Sequence, residues 1–200
     1  MSKAVMISIN PKWCELIANG KKTVEVRKSK PKLEPPFKVY IYCTKGRGDC
    51  LWRWDGGVWY DTQFPNERPN RLDGKVIGEF VCDRIIDIPH SQYFVDYYHA
   101  MPQADLEATC LDMGHIDEYL LSKDGYGWHI SDLVIYDNPR AVSGFYHYCG
   151  DDPNCDGCEF LYYSNTECGK EEFCCSNMYG CNLLKRPPHS WCYVEEVEQT

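Results

Sequence analysis

The first 28 residues restrict the fold more tightly than any other stretch of the chain. Residues 4–9, Ala-Val-Met-Ile-Ser-Ile, have the β-branched, alternating character of a strand. Asn10-Pro11 ends that strand and opens a helix, because an Asn side chain can cap free N–H groups and Pro suits a first turn. The spacing of Trp13, Leu16 and Ile17 predicts a helix from Pro11 to Asn19, stopped by Gly20. Residues 23–28, Thr-Val-Glu-Val-Arg-Lys, then alternate again. Val24 and Val26 point to one side of that strand, and Thr23, Glu25 and Arg27 to the other. Elements this short, reversing this quickly, predict a mixed α+β fold.

The rest of the chain keeps that rhythm. Pro31, Pro35 and Pro36 separate the second strand from a third, Phe37 to Cys43. Residues 46–73 mix glycines and prolines with tryptophans and charges and read as a long loop or irregular hairpin. Strand character returns at Lys75 to Ile88, at Gly127 to Tyr136, at Val142 to Tyr148 and at Ser190 to Val197. Between them, Ala104–Met113 and His115–Leu121 read as two short helices separated by Gly114. Many short strands with few short helices suggest a small β-barrel with helices capping its openings.

Composition narrows the partners. With 44% hydrophobic and 14% aromatic residues the chain can build a core. No apolar run approaches the roughly 20 residues that cross a bilayer. The N-terminus lacks a signal peptide's apolar stretch and cleavage site, so the cytoplasm is the expected compartment, with no membrane partner. A net charge of −9 argues against non-specific coating of nucleic acid. The basic residues concentrate locally, however: Lys21, Lys22, Arg27, Lys28, Lys30 and Lys32 face one acid, Glu25, between residues 21 and 32. Such a ribbon on an acidic body fits a confined anionic ligand better than a long duplex.

The constellation with most chemical content is Ser8-Ile9-Asn10-Pro11-Lys12 followed by Gly20-Lys21-Lys22-Thr23-Val24-Glu25-Val26-Arg27. It sets a hydroxyl, a carboxylate, a guanidinium and an ammonium in a short row. Arg and Lys suit phosphate, while Glu and Thr can pair with a base edge or a sugar hydroxyl. An outward polar strand face with Glu25 paired to a neighbouring cation is the purely structural alternative. Ser8, Pro11, Gly20, Lys22, Thr23, Glu25 and Arg27 resemble the signature of ASCH domains, PUA-like relatives of RNA-binding barrels. The likeness extends to Phe37–Cys43, to Gly74–Phe80 and to Arg186–Val194.

The resemblance implies a PUA-like small β-barrel with short capping helices and a pocket between the first helix, the Lys-Thr-x-Glu strand and the barrel mouth. It implies RNA or a modified nucleotide or nucleoside as ligand, with Ser8, Asn10, Lys12, Lys22, Thr23, Glu25, Arg27 and Ser190 as candidate ligand-binding residues. Some small relatives are nucleoside amidohydrolases whose lysine would match Lys22. Their threonine falls where this chain has Glu25, so that nucleophile is not kept, and Glu79 is a guess for their glutamate. From chemistry alone Lys22 and Glu25 are the catalytic candidates, Lys22 as a base in a dry pocket and Glu25 moving protons. A nucleoside amidohydrolase or ribonuclease in the same pocket is therefore the alternative to a binding module. A protein-interaction adaptor is a third.

Thirteen cysteines are unevenly placed, five before residue 149 and eight from Cys149 onward. Cys149, Cys155, Cys158, Cys168, Cys174, Cys175 and Cys181 include the Cys155-Asp156-Gly157-Cys158 spacing of a zinc knuckle. Four thiolates per ion would close a structural zinc site; disulfides and an iron–sulfur cluster are the alternatives. A segment with so few aliphatic residues needs metal to fold, and strand character resumes after it. The expected organisation is thus a barrel over 1–148 and 182–200, with a Cys-rich zinc-binding insertion over 149–181. Cys14, Cys43, Cys50, Cys82, Cys110 and Cys192 read as small packing residues. Trp52, Trp54, Trp59 and Tyr60, interleaved with Arg47, Arg53, Arg68 and Arg71, could stack bases or cover a barrel edge.

Overall fold

A computed structural model describes residues 2–46, 48–62, 70–90, 101–121, 123–148 and 183–197. The cysteine segment 149–181, and with it the expected zinc ligands, lies outside the described residues, as do Arg47 and Arg68.

The N-terminal prediction is realised closely. Strand β1 (Lys3–Ile9) runs into helix α1 (Pro11–Ala18), whose Asn10 cap accepts from the Lys12 N–H. Gly20 takes φ +70°, a left-handed conformation that costs glycine nothing, and the N–H groups of Lys21 and Lys22 both close on the Leu16 carbonyl. The chain then enters β2 (Val24–Arg27). Further strands are β3 (Phe37–Cys43), β4 (Cys50–Trp54), β5 (Gly57–Asp61), β6 (Val76–Cys82) and β7 (Ile85–Ile88). Helices α2 (Gln103–Ala108) and α3 (Met113–Leu120) precede β8 (Gly125–His129), β9 (Ser131–Arg140) and β10 (Trp191–Glu195).

Strand pairing forms a five-stranded sheet in the order β10-β1-β3-β6-β9, a three-stranded sheet β2-β8-β7 and the hairpin β4-β5. The described residues thus show a mixed α+β arrangement, mostly strands with few short helices, paired in three sheets. One main core lies on the inner face of the large sheet, where Val5, Ile7, Ile9, Val39, Ile41 and Phe80 meet Cys14 and Ile17 of α1 and Trp128 of β8. A second cluster packs α2 and α3 through Leu106, Ile116 and Leu120 onto Val24, Val26, Ile86 and Ile88 of the small sheet. A third holds Phe145, fully buried, against Tyr40 on the large sheet's other face.

Several local expectations shift. The stretch 46–73 contains a regular two-residue hairpin: Trp54 pairs with Gly57, and Asp55 and Gly56 both take positive φ. The helical break falls at Thr109–Asp112, where Cys110 has φ 54°, and Gly114 lies inside the first turn of α3. Asp112 decides this by accepting from the His115 N–H as the N-cap. Residues 142–148 form one 3₁₀ turn, Val142–Gly144, followed by isolated bridges rather than a strand. One bridge joins Tyr146 to Leu183, so the two sides of the cysteine segment meet there. Cys14, Cys43, Cys50 and Cys82 are buried, Cys192 is half-buried, and Cys110 is exposed, unlike the packing role expected of it.

Candidate functional site

A cavity of about 300 Å³ opens beside the start of α1 and the strand β2. It is lined by Ser8, Asn10, Trp13, Lys22, Glu25, Val26, Arg27, Leu111, His115 and Tyr119. This is the low end of the usual range for small-molecule sites, about 300–1,000 Å³.

Its polar side is a buried row of three charges. Lys22 is 2% exposed, and Glu25 and Arg27 are 6% exposed each. The Lys22 ammonium stands 3.3 Å from one Glu25 oxygen, and the Arg27 guanidinium 2.9 Å from the other. Each cation also donates to a main-chain carbonyl: Lys22 to Thr109 at 2.7 Å, Arg27 to Ser8 at 2.7 Å. Helix α1 and Gly20 deliver Lys22, the β2–β8 ladder fixes Glu25 opposite Trp128, and Arg27 reaches back to the end of β1. Arg27 Nε is buried without a partner. Two cations sharing one carboxylate leave an excess of positive charge in a place where desolvation is costly.

The other walls are aromatic. The Trp13 ring lies 5.4 Å from the Lys22 ammonium and 4.8 Å from that of Lys12. The ammonium of Lys28 sits 5.1 Å from the Tyr119 ring. Burial holds the Tyr119 phenol above its ordinary pKa; Arg27 opposes that shift and Glu25 adds to it. The His115 ring places Nδ1 2.8 Å from Asp112. The ring nitrogen left for a ligand is therefore Nε2. Asp112 is held below the ordinary carboxylate range, chiefly by the backbone N–H of His115.

The structure gathers Ser8, Asn10, Lys22, Glu25 and Arg27 in one cavity wall. Ser8 donates its hydroxyl to the Pro188 carbonyl at 2.6 Å, and Asn10 is engaged as the α1 cap. Lys12 is exposed on the Trp13 ring rather than within the lining. Thr23 is half-buried and outside the lining, with its main chain tied to Ala108 and Ile130. Ser190 is exposed and reaches the site only through its carbonyl, which accepts from the Ser8 N–H. Leu111, His115 and Tyr119 are additions from the α2–α3 connection and α3. The four-residue spacing of His115 and Tyr119, one face of α3, was the signal available for those two.

Glu79 does not line this cavity. It belongs to a second polar group around β3 and β6, 3.3 Å from the Lys38 ammonium and accepting from the Tyr136 hydroxyl. Lys38 also pairs with Glu196 at 3.2 Å, and Glu196 accepts from Ser2. Burial works against the Lys38 charge, but Glu196 and Glu79 more than offset it, and its pKa rises. Burial and then Glu79 push the Tyr136 phenol up. On the β4–β5 hairpin, Trp54 and Trp59 are exposed, while Arg53 is bound to Asp137 and Arg71 to Asp73. Carboxylates therefore already occupy the two described arginines of that aromatic stretch.

Comparison with known proteins gives one family. The sequence model of the ASCH domain matches residues 7–110. Solved structures similar to the chain include an ASCH crystal structure from Zymomonas mobilis, at 16% identity and a TM-score of 0.44, covering 70% of this chain and 73% of that one. A tyrosine-to-phenylalanine variant of the Zymomonas mobilis protein gives 18% identity and a TM-score of 0.44, covering 70% and 77%. No curated protein matches the chain.

Proposed function

Because this chain belongs to the ASCH domain family, a PUA-like family associated with RNA binding and processing, we propose that its cavity binds a single RNA nucleotide or a modified nucleoside. The observation that carries this reading is the buried Lys22–Glu25–Arg27 row in an aromatic-walled cavity of about 300 Å³. Such a cavity suits one base and its sugar, whereas a strand needs an open groove lined with cations. A carboxylate between two cationic donors can pair with mixed donor and acceptor edges, which bases present and simple anions lack. The acidic chain, at −9, supports a confined contact over long-range attraction to nucleic acid.

Binding is favoured over turnover in the same cavity. Hydrolysis by a protein nucleophile needs an activated hydroxyl or thiol, or an amine or carboxylate free to attack, and Glu25 is held between Lys22 and Arg27. Ser8 directs its hydroxyl proton to Pro188, and the Tyr119 phenol is held neutral by burial. Lys22 is committed to Glu25 and Thr109. The test is incubation with acetylated cytidine and with labelled RNA, read by both calorimetry and product analysis. Binding without product is expected, and Lys22→Ala should weaken it roughly 10- to 100-fold, the loss of one charge-assisted contact. Product formation that requires Lys22 would move the reading to an enzyme; neither binding nor product would end both.

The cysteine segment 149–181 is proposed to hold zinc, on the strength of its C-x-x-C spacing and cysteine density. Its role would be structural, with a protein-contact role as the competing reading. Metal analysis of reduced, intact protein should find at least one zinc per chain; less rejects the assignment.

A further inference from the structure

Beyond a base and sugar, we infer that the ligand of this cavity carries a phosphate, seated at the cavity mouth between Lys12 and Lys28. The inference rests on the single-nucleotide reading and decides between a free nucleoside and a phosphate ester. Lys12 and Lys28 are both exposed, and each ammonium lies against an aromatic wall of the cavity, Trp13 at 4.8 Å and Tyr119 at 5.1 Å. Neither is within ion-pair distance of a carboxylate among the described residues, in contrast to Lys30 and Lys38. A ring face restricts a flexible ammonium to one region without neutralising it, so the charge stays available to a ligand.

Two further features favour the same sign. The buried row below holds two cations to one anion, and Arg27 Nε has no partner there. The α1 N-terminus, where Asn10 and Trp13 line the cavity, has no acidic residue in its first turn to offset the positive end of its dipole. Lys12, Lys22, Arg27 and Lys28 thus stand at or beside the lining against one lining carboxylate, Glu25, with Asp112 turned to His115, on a chain of net charge −9. A neutral nucleoside leaves that excess uncompensated, whereas a nucleoside monophosphate, free or within an RNA chain, supplies the missing anion.

Calorimetric titration of the four ribonucleosides, their 3′- and 5′-monophosphates, ribose 5-phosphate and a short single-stranded RNA tests this. At least one monophosphate should bind about tenfold or more tightly than its nucleoside, with the gap narrowing as salt rises. The gap should close to within about twofold in Lys12→Gln/Lys28→Gln. It should persist in Lys75→Gln/Lys123→Gln, which removes the same charge at two exposed lysines outside the lining. Preference for the 3′ ester and the RNA over the 5′ ester would place the ligand within a chain; the reverse would make it a free nucleotide. Equal affinity for nucleoside and monophosphate overturns the phosphate site but leaves the base reading intact. Ribose 5-phosphate binding as tightly as any nucleotide keeps the phosphate site and removes the base reading. A gap unchanged in Lys12→Gln/Lys28→Gln, or no binding of any probe, overturns the inference.

Discussion

Two polar groups pack against the strands of this protein, each around one buried acid, and they are built on opposite plans. Around β6, one cation faces two acids: Lys38 pairs with Glu79 and Glu196, and hydroxyls of Tyr136 and Ser2 complete the carboxylates. At the end of β1, two cations face one acid, and the space beside them is a cavity instead of side chains. The first group has its partners within the protein. The second has Arg27 Nε unpaired, and its surplus of charge is positive where that of the first is negative. A buried carboxylate, Glu79 or Glu25, is common to both, so a buried acid alone does not mark a binding site. What separates them is unmet bonding capacity beside open space.

The largest test of that contrast is removal of each central acid. Glu25→Gln leaves two buried cations without a counter-charge and should cost about 3–5 kcal/mol of stability. Glu79→Gln should cost less, about 1–3 kcal/mol, because Lys38 keeps Glu196 and the amide oxygen can still accept from Tyr136. Urea unfolding with unchanged m-values measures both; equal losses would erase the distinction. A smaller effect compares the two phenols. Tyr136→Phe should lose about 1 kcal/mol, a typical buried hydrogen bond, without changing ligand affinity. Tyr119→Phe, at a residue 38% exposed on the cavity wall, should leave stability within about 0.5 kcal/mol and change affinity instead.

The smallest effect appears only in alkali and reports on the packed cysteines outside both groups. Burial pushes the Cys82 thiol up to about 12 and the Cys192 thiol up to about 11, from an ordinary 9.0. The folded chain then keeps protons that the unfolded chain releases, so stability falls as pH rises. That contribution is intact below pH 9.0 and is lost as pH climbs toward about 11 and then about 12. Denaturation midpoints at pH 8, 10 and 11 should decline for the native chain and decline less for Cys82→Ala.

The N-terminal strand, helix and polar row were readable because alternation, an Asn-Pro start and a Gly stop are local signals. The same signals carried Lys22, Glu25 and Arg27 to one wall of the cavity. The Asp55-Gly56 hairpin was also written in the chain, as a dipeptide suited to two positive φ values, but the surrounding glycines and prolines masked it. His115 and Tyr119 belong to the site only because α2 and α3 pack across the small sheet, a contact made between residues some ninety positions apart. Glu79 illustrates the reverse error. It was a guess for the relatives' glutamate, yet its register opposite Tyr40 puts it in the Lys38 group.

The bond from Lys22 to the Thr109 carbonyl has a mechanical consequence. Thr109 lies in the connection between α2 and α3, and the Lys21 carbonyl accepts from Cys110 in the same connection. The side chain that forms the floor of the cavity is thus also a rivet holding the helical pair to the sheet. A guest that draws the ammonium inward loads that rivet, and by reciprocity a loosened helical pair weakens the guest's hold. Amide exchange along α2 and α3 should therefore respond to occupancy of a cavity to which α2 contributes no lining residue.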